Sequence, residues 1–252
     1  YLKKNEMNVH ERFVVVCYYL VVIGIEVCRG DVKRWWEFFK KCVNLLQKNG
    51  GIMKFCEEND YLNGVKWLIL NIEFHDLLLS ATQKEGTLIP MEDYRTLFTK
   101  YGVLDVGGYG LDAFQGACQP IILILGEIMT SHVELKQKRL DMERRLREID
   151  NPEVYEDLRL ERIRFYLYAD QFEKKFCEKV IDCQPLEQQI TLLNEDGEET
   201  QLEVHVMLFE VFRETCNMYI LLYLNSFYIA NKIFFFHLAM YPSKKLKKNI
   251  HL

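Results

Sequence analysis

The chain has 252 residues, of which 49% are hydrophobic and 27% are charged. This composition excludes the disordered, collagenous and low-complexity classes, and the length is sufficient for one large core or two small ones. Basic residues number 32 and acidic residues 37, so the formal net charge is −5. With this balance no broad basic face is available, and we do not expect the chain to bind nucleic acid by itself.

Eight cysteines are spread along the chain without a C-x-x-C pair or a Cys/His group at zinc-ligand spacing. They fall in segments typical of apolar helices, which favours reduced thiols in an intracellular compartment. No signal peptide is indicated, since no cleavage site follows the apolar run over residues 13–25. Because the chain begins with Tyr1 rather than Met, we expect it to be a piece of a longer protein.

Apolar residues recur at three- and four-residue spacing through most of the sequence, while signals for strands are scarce. This pattern predicts an all-α, multi-helix bundle-like fold that forms a single domain over residues 1–252. Asp31 is the expected N-cap of the second helix, and Pro90 opens a short fourth one. The other predicted helices are, in chain order, 8–28, 31–49, 61–82, 120–150, 152–181 and 203–240.

The predicted helix over residues 120–150 is apolar at first and strongly charged from Glu134 onwards. Its second half is therefore expected to face solvent, and the helix should form a hairpin with the next one. A row at seven-residue spacing indicates a weak coiled-coil seam: Ile128, Leu135, Met142 and Ile149. The next helix carries one predicted apolar face: Val154, Leu158, Phe165, Tyr168, Phe172, Phe176 and Val180.

Two regions between helices carry special patterns. Five glycines over residues 102–116 lie in a stretch without periodicity and without a G-K-[ST] motif, so we interpret it as a connection rather than a phosphate loop. Residues 190–206 alternate in polarity around Asp196-Gly197, which allows a small β-hairpin. An exposed acidic loop is the slightly stronger alternative there.

Two apolar runs, over residues 13–25 and 219–241, could be mistaken for membrane spans. The first is too short to cross a bilayer, and the second carries Asn225, Asn231 and Lys232, which would face lipid. We expect both to be core helices and expect no membrane partner. The basic run over residues 244–248 is interpreted as a solvated tail, with a short nuclear address as the alternative.

His75 and Asp76 are the one adjacent pair that resembles ligands of a metal-dependent phosphohydrolase, for which His10 and Asp105 would complete the set. No spacing supports that set, and a His-Asp pair on a helix more often forms a side-chain hydrogen bond. The sequence also lacks a D-D-x-x-D motif, a nucleophile elbow and a catalytic triad. We therefore expect no enzyme activity and no metal or cofactor in this chain.

Aromatic residues, among them Trp35 and Trp67, are concentrated on the predicted helices. Such residues can line an apolar pocket that a few polar groups complete. For any one of them, ordinary core packing is the stronger alternative.

Four stretches occur in a characteristic order and spacing. They are GIEVCRGDVKRWW at 24–36, VKWLILNIEFHDLLLSAT at 65–82, IPMEDYRTLF at 89–98 and LDAFQGACQPIILILGEI at 111–128. With them the chain resembles the regulatory domain of fungal zinc-cluster transcription factors. Within that family it is most similar to activators of 4-aminobutyrate utilisation genes.

The resemblance implies an all-helical regulatory domain that acts in the nucleus and controls a separate DNA-binding module. Zinc would be held only by that module, whose six-cysteine cluster is absent from this chain. The implied partners are a small-molecule effector, for which 4-aminobutyrate is the candidate, transcriptional coregulators and a second copy of the chain. The predicted ligand-binding residues, which carry the family's motifs, are Trp35, Trp67, His75 and Asp76.

Two functions remain open at this point. The first is a metabolite-sensing regulatory domain of a transcription activator, in which an effector shifts the population between two helix arrangements. The alternative is a helical dimerisation or scaffold module without a ligand, with Met142 and Leu146 at the interface.

Overall fold

The computed structural model describes residues 7–30, 32–83, 86–100, 115–148, 152–186 and 199–224. These residues form eight α-helices and contain no strand, which confirms the all-α prediction. The helices are α1 (Val9–Arg29), α2 (Val32–Lys48), α3 (Gly51–Glu58), α4 (Asn63–Gln83), α5 (Met91–Lys100), α6 (Gln119–Arg147), α7 (Pro152–Asp182) and α8 (Glu199–Tyr219). A 3₁₀ turn over Gly116–Cys118 precedes α6, and a π-helical turn over Ile220–Leu224 follows α8.

Helix α1 begins and ends at residues whose chemistry favours helix ends. The side chain of Asn8 accepts a hydrogen bond from the N–H of Glu11, and the Glu11 carboxylate accepts one from the N–H of Asn8, each at 2.9 Å. At the other end Gly30 adopts a φ of 75°, and its N–H donates to the carbonyls of Glu26 and Val27. The predicted bounds of this helix are therefore confirmed, while the predicted cap at Asp31 lies outside the described residues.

The apolar run of α1 is buried on one face only. Its core residues are Val16, Leu20 and Ile23. Four other apolar side chains are between 50% and 62% exposed: Val14, Tyr18, Val21 and Ile25. The expectation of a core helix over residues 13–25 is thus wrong for this face, because α1 packs along its inner side alone, against α2, α4 and, through the stacked rings of Phe13 and Phe55, α3.

Helix α3 was not predicted. The two glycines at 50 and 51, with φ angles of 101° and 86°, end α2 as expected but also turn the chain into a new short helix. Ile52, Phe55 and Cys56 are buried at helical spacing, and this pattern was the available signal. Helix α4 agrees with its prediction, since all five residues assigned to its buried side are at most 4% exposed: Val65, Leu68, Ile69, Ile72 and Leu79.

Helix α6 is the central element, and it packs against α4, α5, α7 and α8. Among the described residues one helical stretch, Gly116–Arg147, is long and apolar enough to cross a membrane, with a mean hydropathy of 1.2. Of its most apolar window, 67% is buried inside the protein. A long apolar helix at the centre of a helical bundle is buried in this way. Most of the other run, residues 219–241, lies outside the described part of the chain.

The predicted hairpin of α6 and α7 is confirmed. The row at seven-residue spacing is buried within the chain, with Ile128, Leu135 and Met142 only 0%, 2% and 4% exposed. The second half of α6 is therefore exposed on one side only. On α7 the predicted apolar face is wrong at Val154 and Tyr168, which are 44% and 48% exposed.

The suggested β-hairpin at 190–206 is wrong in its second half, because Glu199–Tyr219 is one helix. Phe209, Cys216 and Ile220 are buried along that helix, so its apolar spacing overrides the short alternation before it. Residues 187–198 lie outside the described part of the chain. Most of the predicted connection over residues 102–116 also lies outside it, except for its last two residues, of which Gly116 begins the 3₁₀ turn before α6. Everything after residue 224 lies outside it too, including the basic tail.

All eight cysteines are free, as expected. Burial raises the pKa of Cys42, Cys56 and Cys216 to about 12 and that of Cys118 and Cys183 to about 11. These thiols therefore stay protonated at neutral pH and pack as small apolar groups.

Gly126 lies where α6 packs closely against Leu77 of α4 and Met91 of α5. A Cβ atom added there would overlap Leu77 Cδ2 and would lie 3.1 Å from Met91 Sδ. Leu77 is fully buried, so it has little space to move. We expect Gly126→Ala to lower the free energy of unfolding by roughly 1–3 kcal/mol, as overpacked cores do.

The matched control is Gly24→Ala on α1, where an added Cβ meets no atom within 4 Å. This change should stabilise the protein by about 0.5–1 kcal/mol through helix propensity. Urea denaturation measures both changes in stability. Equal denaturation midpoints for the two variants would contradict the close packing of α6 against Leu77.

Candidate functional site

Asp76 holds the start of α5 against α4. Its carboxylate accepts hydrogen bonds from the N–H groups of Leu88 and Ile89, at 2.8 and 3.0 Å, and from the Tyr94 hydroxyl at 3.0 Å. The residue is completely buried. Burial raises the pKa of Asp76 to about 6, although its three hydrogen bonds act in the opposite direction. Its place in the fold is that of an anchor for the segment before α5.

His75, the next residue back on α4, lies in an aromatic cluster. Its Nδ1–H donates to the Asn71 carbonyl at 2.8 Å, and its ring centre is 6.0 Å from that of Trp35 and 5.7 Å from that of Phe74. Burial lowers the pKa of His75, so the ring is neutral at physiological pH. A cavity of about 160 Å³, which we call the aromatic pocket, is lined by Val27, Trp35, Phe74, His75, Leu78 and Leu79.

The structure thus brings two of the four predicted ligand-binding residues together. Trp35 and His75 line the same pocket. Trp67 lies two turns earlier on α4 and is 42% exposed, and Asp76 is engaged with the start of α5. Neither of these two lines the aromatic pocket.

A larger cavity of about 330 Å³ lies between α5, α6 and α7, and we call it the polar cavity. Met91, Phe172 and Phe176 form an apolar wall. The charged residues that line it are Glu92, Arg95, Glu127, Glu134, Lys175 and Lys179. The lining therefore carries three groups of each sign around an apolar surface.

Glu127 ties the three helices of the polar cavity together. Arg95 of α5 reaches Glu127 Oε1 through Nε at 2.8 Å and Nη2 at 2.6 Å, and Lys179 of α7 reaches Oε2 at 2.6 Å. The Glu127 side chain is only 9% exposed. Both carboxylate oxygens are thus saturated by cations from neighbouring helices, which compensates the charge inside the protein.

Glu134 and Lys175 line the polar cavity from opposite helices, α6 and α7. Within the described residues neither side chain forms an ion pair at 4.0 Å or less. They leave one anion and one cation available to a bound molecule. Sequence reasoning missed this site, although Glu127 stood out as a lone charge in the apolar run over residues 121–129.

The described residues contain no group of three or more His, Cys, Asp or Glu that could hold a metal ion. Of the four residues considered for a phosphohydrolase, His10 lies at the exposed start of α1 and Asp105 lies outside the described part of the chain. Asp76 already accepts hydrogen bonds from two backbone N–H groups and a hydroxyl. These contacts occupy the carboxylate that a metal would need.

Comparison with known proteins decides the family. A model of the fungal-specific transcription factor domain matches residues 2–232. The chain belongs to this family. The resemblance found in its sequence is confirmed at that level, and membership in this family of transcription factors implies a role in gene regulation.

Two curated relatives support the assignment. An uncharacterized transcriptional regulatory protein of Schizosaccharomyces pombe is 28% identical over 142 residues, which cover 56% of this chain and 24% of the relative. The transcriptional activator protein UGA3 of Saccharomyces cerevisiae is 28% identical over 136 residues, which cover 43% of this chain and 25% of the relative. The chain thus spans about a quarter of the length of these relatives. No solved structure matches.

The anchor role of Asp76 predicts a pH dependence. Its pKa rises from 3.8 to about 6 on folding, so the native state holds a proton that the unfolded state has lost between these values. Stability contributed by this carboxyl is full below pH 3.8 and is lost as the pH rises through 6. The wild type should therefore exceed Asp76→Asn in its free energy of unfolding by a margin that decreases by roughly 1–3 kcal/mol from pH 4 to pH 7.

Urea denaturation at several pH values measures this difference. Asp182→Asn, at the exposed end of α7, is the matched control and should show no such trend. A wild-type advantage over Asp76→Asn that stays constant between pH 4 and pH 7 would contradict the role assigned to the buried carboxyl.

Proposed function

We propose that this chain is the regulatory domain of a fungal transcription activator and that it binds a small zwitterionic effector in the polar cavity. The membership of the chain in the transcription factor family supports the regulatory role. The observation that carries the effector is the polar cavity, with its available anion and cation beside an apolar wall. The first candidate effector is 4-aminobutyrate, which the sequence resemblance implies.

The chemistry of 4-aminobutyrate matches the lining of the cavity. Its ammonium group would pair with Glu134, and its carboxylate with Lys175 or with the exposed edge of Arg95. The methylene groups between them would contact Phe172 and Phe176. Charge-assisted contacts of this kind are the stronger class of hydrogen bond and give a ligand its orientation.

The aromatic pocket is a poorer place for such an effector. The described lining is almost entirely apolar, and its one titratable residue, His75, is neutral. A zwitterion would lose its hydration there without gaining a charged partner. A ligand-binding role for Trp35, Trp67, His75 and Asp76 therefore stays a prediction, and we place the effector in the polar cavity instead.

The mechanism is a population shift. A ligand that pairs with both Glu134 on α6 and Lys175 on α7 would stabilise the helix arrangement in which these two side chains are close enough to bind it together. Because Glu127 also links both helices to α5, the shift would reach the α4–α5 part of the domain. In the nucleus this change would alter how the domain contacts transcriptional coregulators and controls a zinc-containing DNA-binding module outside this chain.

Thermal unfolding of the purified chain tests the effector. At about 100 times its dissociation constant, 4-aminobutyrate should raise the free energy of unfolding by about 2.7 kcal/mol. Glu134→Gln and Lys175→Gln should each weaken binding roughly tenfold or more, because each removes one charged contact. Butylamine and butyrate, which carry one charge each, should bind more weakly than 4-aminobutyrate.

The matched controls are Glu178→Gln and Lys138→Gln, which change the same residue types on α7 and α6 outside the cavity lining. They should leave binding unchanged. The transcriptional role has its own test: the chain fused to an unrelated DNA-binding module should make a reporter gene respond to 4-aminobutyrate. Absence of any stabilisation, together with a silent reporter, would remove the metabolite-sensing proposal.

A second candidate is a dimerisation module without a ligand, and the exposed apolar face of α1 favours it. This face, formed by Val14, Tyr18, Val21 and Ile25, is uncharged over three turns. The interface predicted from the sequence comprises Met142 and Leu146. Met142 is buried within the chain, so a charge there would disrupt the α6–α7 hairpin, and Leu146 is partly buried near the end of α6.

Light scattering on the purified chain tests this candidate. A dimer that uses α1 should dissociate in Val21→Lys, because the substitution places a charge in the middle of the face. Val21 is 62% exposed, so the fold of the monomer should persist. Lys136→Glu on the exposed side of α6 is the control, and a dimer insensitive to Val21→Lys would exclude this interface.

A further inference from the structure

The aromatic pocket lies at the corner where the end of α1 and the start of α2 meet α4. We propose that it is a second ligand site, which binds neutral molecules that carry one aromatic ring and one hydrogen-bond donor, with phenol as the simplest member. This site shares no lining residue with the polar cavity and takes a different class of ligand. It goes beyond the effector proposed above and does not depend on it.

The size of the pocket matches one aromatic ring. Its volume is about 160 Å³. An apolar protein cavity of about 150 Å³ accepts a benzene molecule, so a single ring with one small substituent has the right size. Val27, on the α1 side of the pocket, is 46% exposed. A ligand can therefore reach the pocket from solvent without unfolding of the domain.

The walls of the pocket favour an aromatic ligand without charge. Three of the lining side chains are rings and three are aliphatic: Trp35, Phe74, His75, Val27, Leu78 and Leu79. Aromatic rings attract one another in edge-to-face and offset-stacked arrangements. The described lining contains no Lys, Arg, Asp or Glu. A charged ligand would thus lose its hydration without gaining an ion pair, whereas a neutral ring would not.

His75 supplies the pocket with one hydrogen-bond acceptor. Its Nδ1 lies 2.8 Å from the carbonyl oxygen of Asn71, which can only accept, so Nδ1 carries the proton. Because burial lowers the pKa of His75, the ring is neutral and Nε2 keeps its lone pair. Within the described part of the chain Nε2 has no hydrogen-bond partner, and it is not among the polar atoms that are shielded from solvent.

Neighbouring rings hold this acceptor in place. The centre of the His75 ring is 6.0 Å from that of Trp35, 6.4 Å from that of Phe39 and 5.7 Å from that of Phe74. The Phe74 ring stands at 89° to it, and the Trp35 ring at 67°. Together with the bond to Asn71, these contacts restrict rotation of the ring. Nε2 therefore has a defined position before a ligand binds, which lowers the entropic cost of binding.

The acceptor determines which neutral ring binds best. A ring without a donor would cover Nε2 and remove its access to water, which leaves a polar atom unpaired. The hydroxyl of phenol would instead donate to Nε2 while its ring contacts Trp35 and Phe74. Anisole has the same ring and the same oxygen but no donor, so it is the matched comparison.

Fluorine NMR of fluorinated probes with the purified chain at neutral pH tests the proposal. We expect 4-fluorophenol to bind about tenfold more tightly than 4-fluoroanisole, which is the ratio that one hydrogen bond can produce. 4-Fluorobenzoate should bind more weakly than either, because no cationic side chain is among the described lining residues. An excess of 4-aminobutyrate should not displace 4-fluorophenol, since the two ligands occupy different sites.

Two variants of the protein locate the binding. His75→Phe keeps an aromatic ring but removes the acceptor, so the affinities for 4-fluorophenol and 4-fluoroanisole should become nearly equal. Leu78→Phe adds volume at the pocket wall and should weaken both probes roughly tenfold or more. His10→Phe, at the exposed start of α1, and Glu134→Gln, in the polar cavity, are the controls and should change neither affinity. Circular dichroism verifies that each variant retains its helices.

Several results would each overturn the proposal. One is equal affinity of the wild-type chain for 4-fluorophenol and 4-fluoroanisole, or no binding of 4-fluorophenol at millimolar concentration. Another is binding of 4-fluorophenol that a folded Leu78→Phe variant does not weaken. Tighter binding of N-acetyltyrosinamide than of 4-fluorophenol would assign the pocket to a tyrosine side chain of a protein partner, and the free ligand would then be excluded.

Discussion

The carboxylate of Glu127 lies in the interior of the domain, and the packing of three helices depends on how its charge is compensated. An unpaired buried charge costs about 3–5 kcal/mol when a partner is removed, which is comparable with much of a domain's net stability. Arg95 and Lys179 supply two partners from helices that are distant in sequence. The positions of α5 and α7 on α6 must therefore allow Arg95 and Lys179 to reach the Glu127 carboxylate, in addition to allowing apolar packing.

Helix α5 is held by carboxylates from two sides. Asp76 of α4 accepts hydrogen bonds from the backbone just before the helix, and Glu127 of α6 binds Arg95 one turn into it. A helix of only ten residues is marginally stable by itself. These tertiary contacts stabilise α5, because its intrinsic helix propensity is not sufficient. The polar cavity is a consequence of this arrangement, since α5 forms one of its three sides.

The sequence predicted the helices well and the sites poorly, for physical reasons that particular residues illustrate. The buried side of α4 and the caps of α1 follow from local spacing and from Asn8, Glu11 and Gly30. The exposed face of α1 could not be predicted, because an apolar run does not tell which side has a neighbour. Helix α3 does not follow from the sequence pattern although its apolar spacing is helical, because a double glycine indicates the end of one helix and does not indicate the start of another.

The ligand-binding prediction was made from motifs that also shape the fold. It named Trp35 and His75, which do line one pocket, because both stand in the segments that carry the family resemblance. It could not find the polar cavity, whose charges come from residues 92–95, 127–134 and 175–179 and meet only in the folded chain. Glu127 was the one local sign of it, as a single acidic residue between apolar neighbours.

His75 and Asp76 show how one helix can serve two separate surfaces. Successive residues on a helix point about 100° apart, so His75 faces Trp35 while Asp76 reaches the start of α5. A movement of α5 that strains the Asp76 hydrogen bonds would therefore act on the same turn of α4 that forms the aromatic pocket.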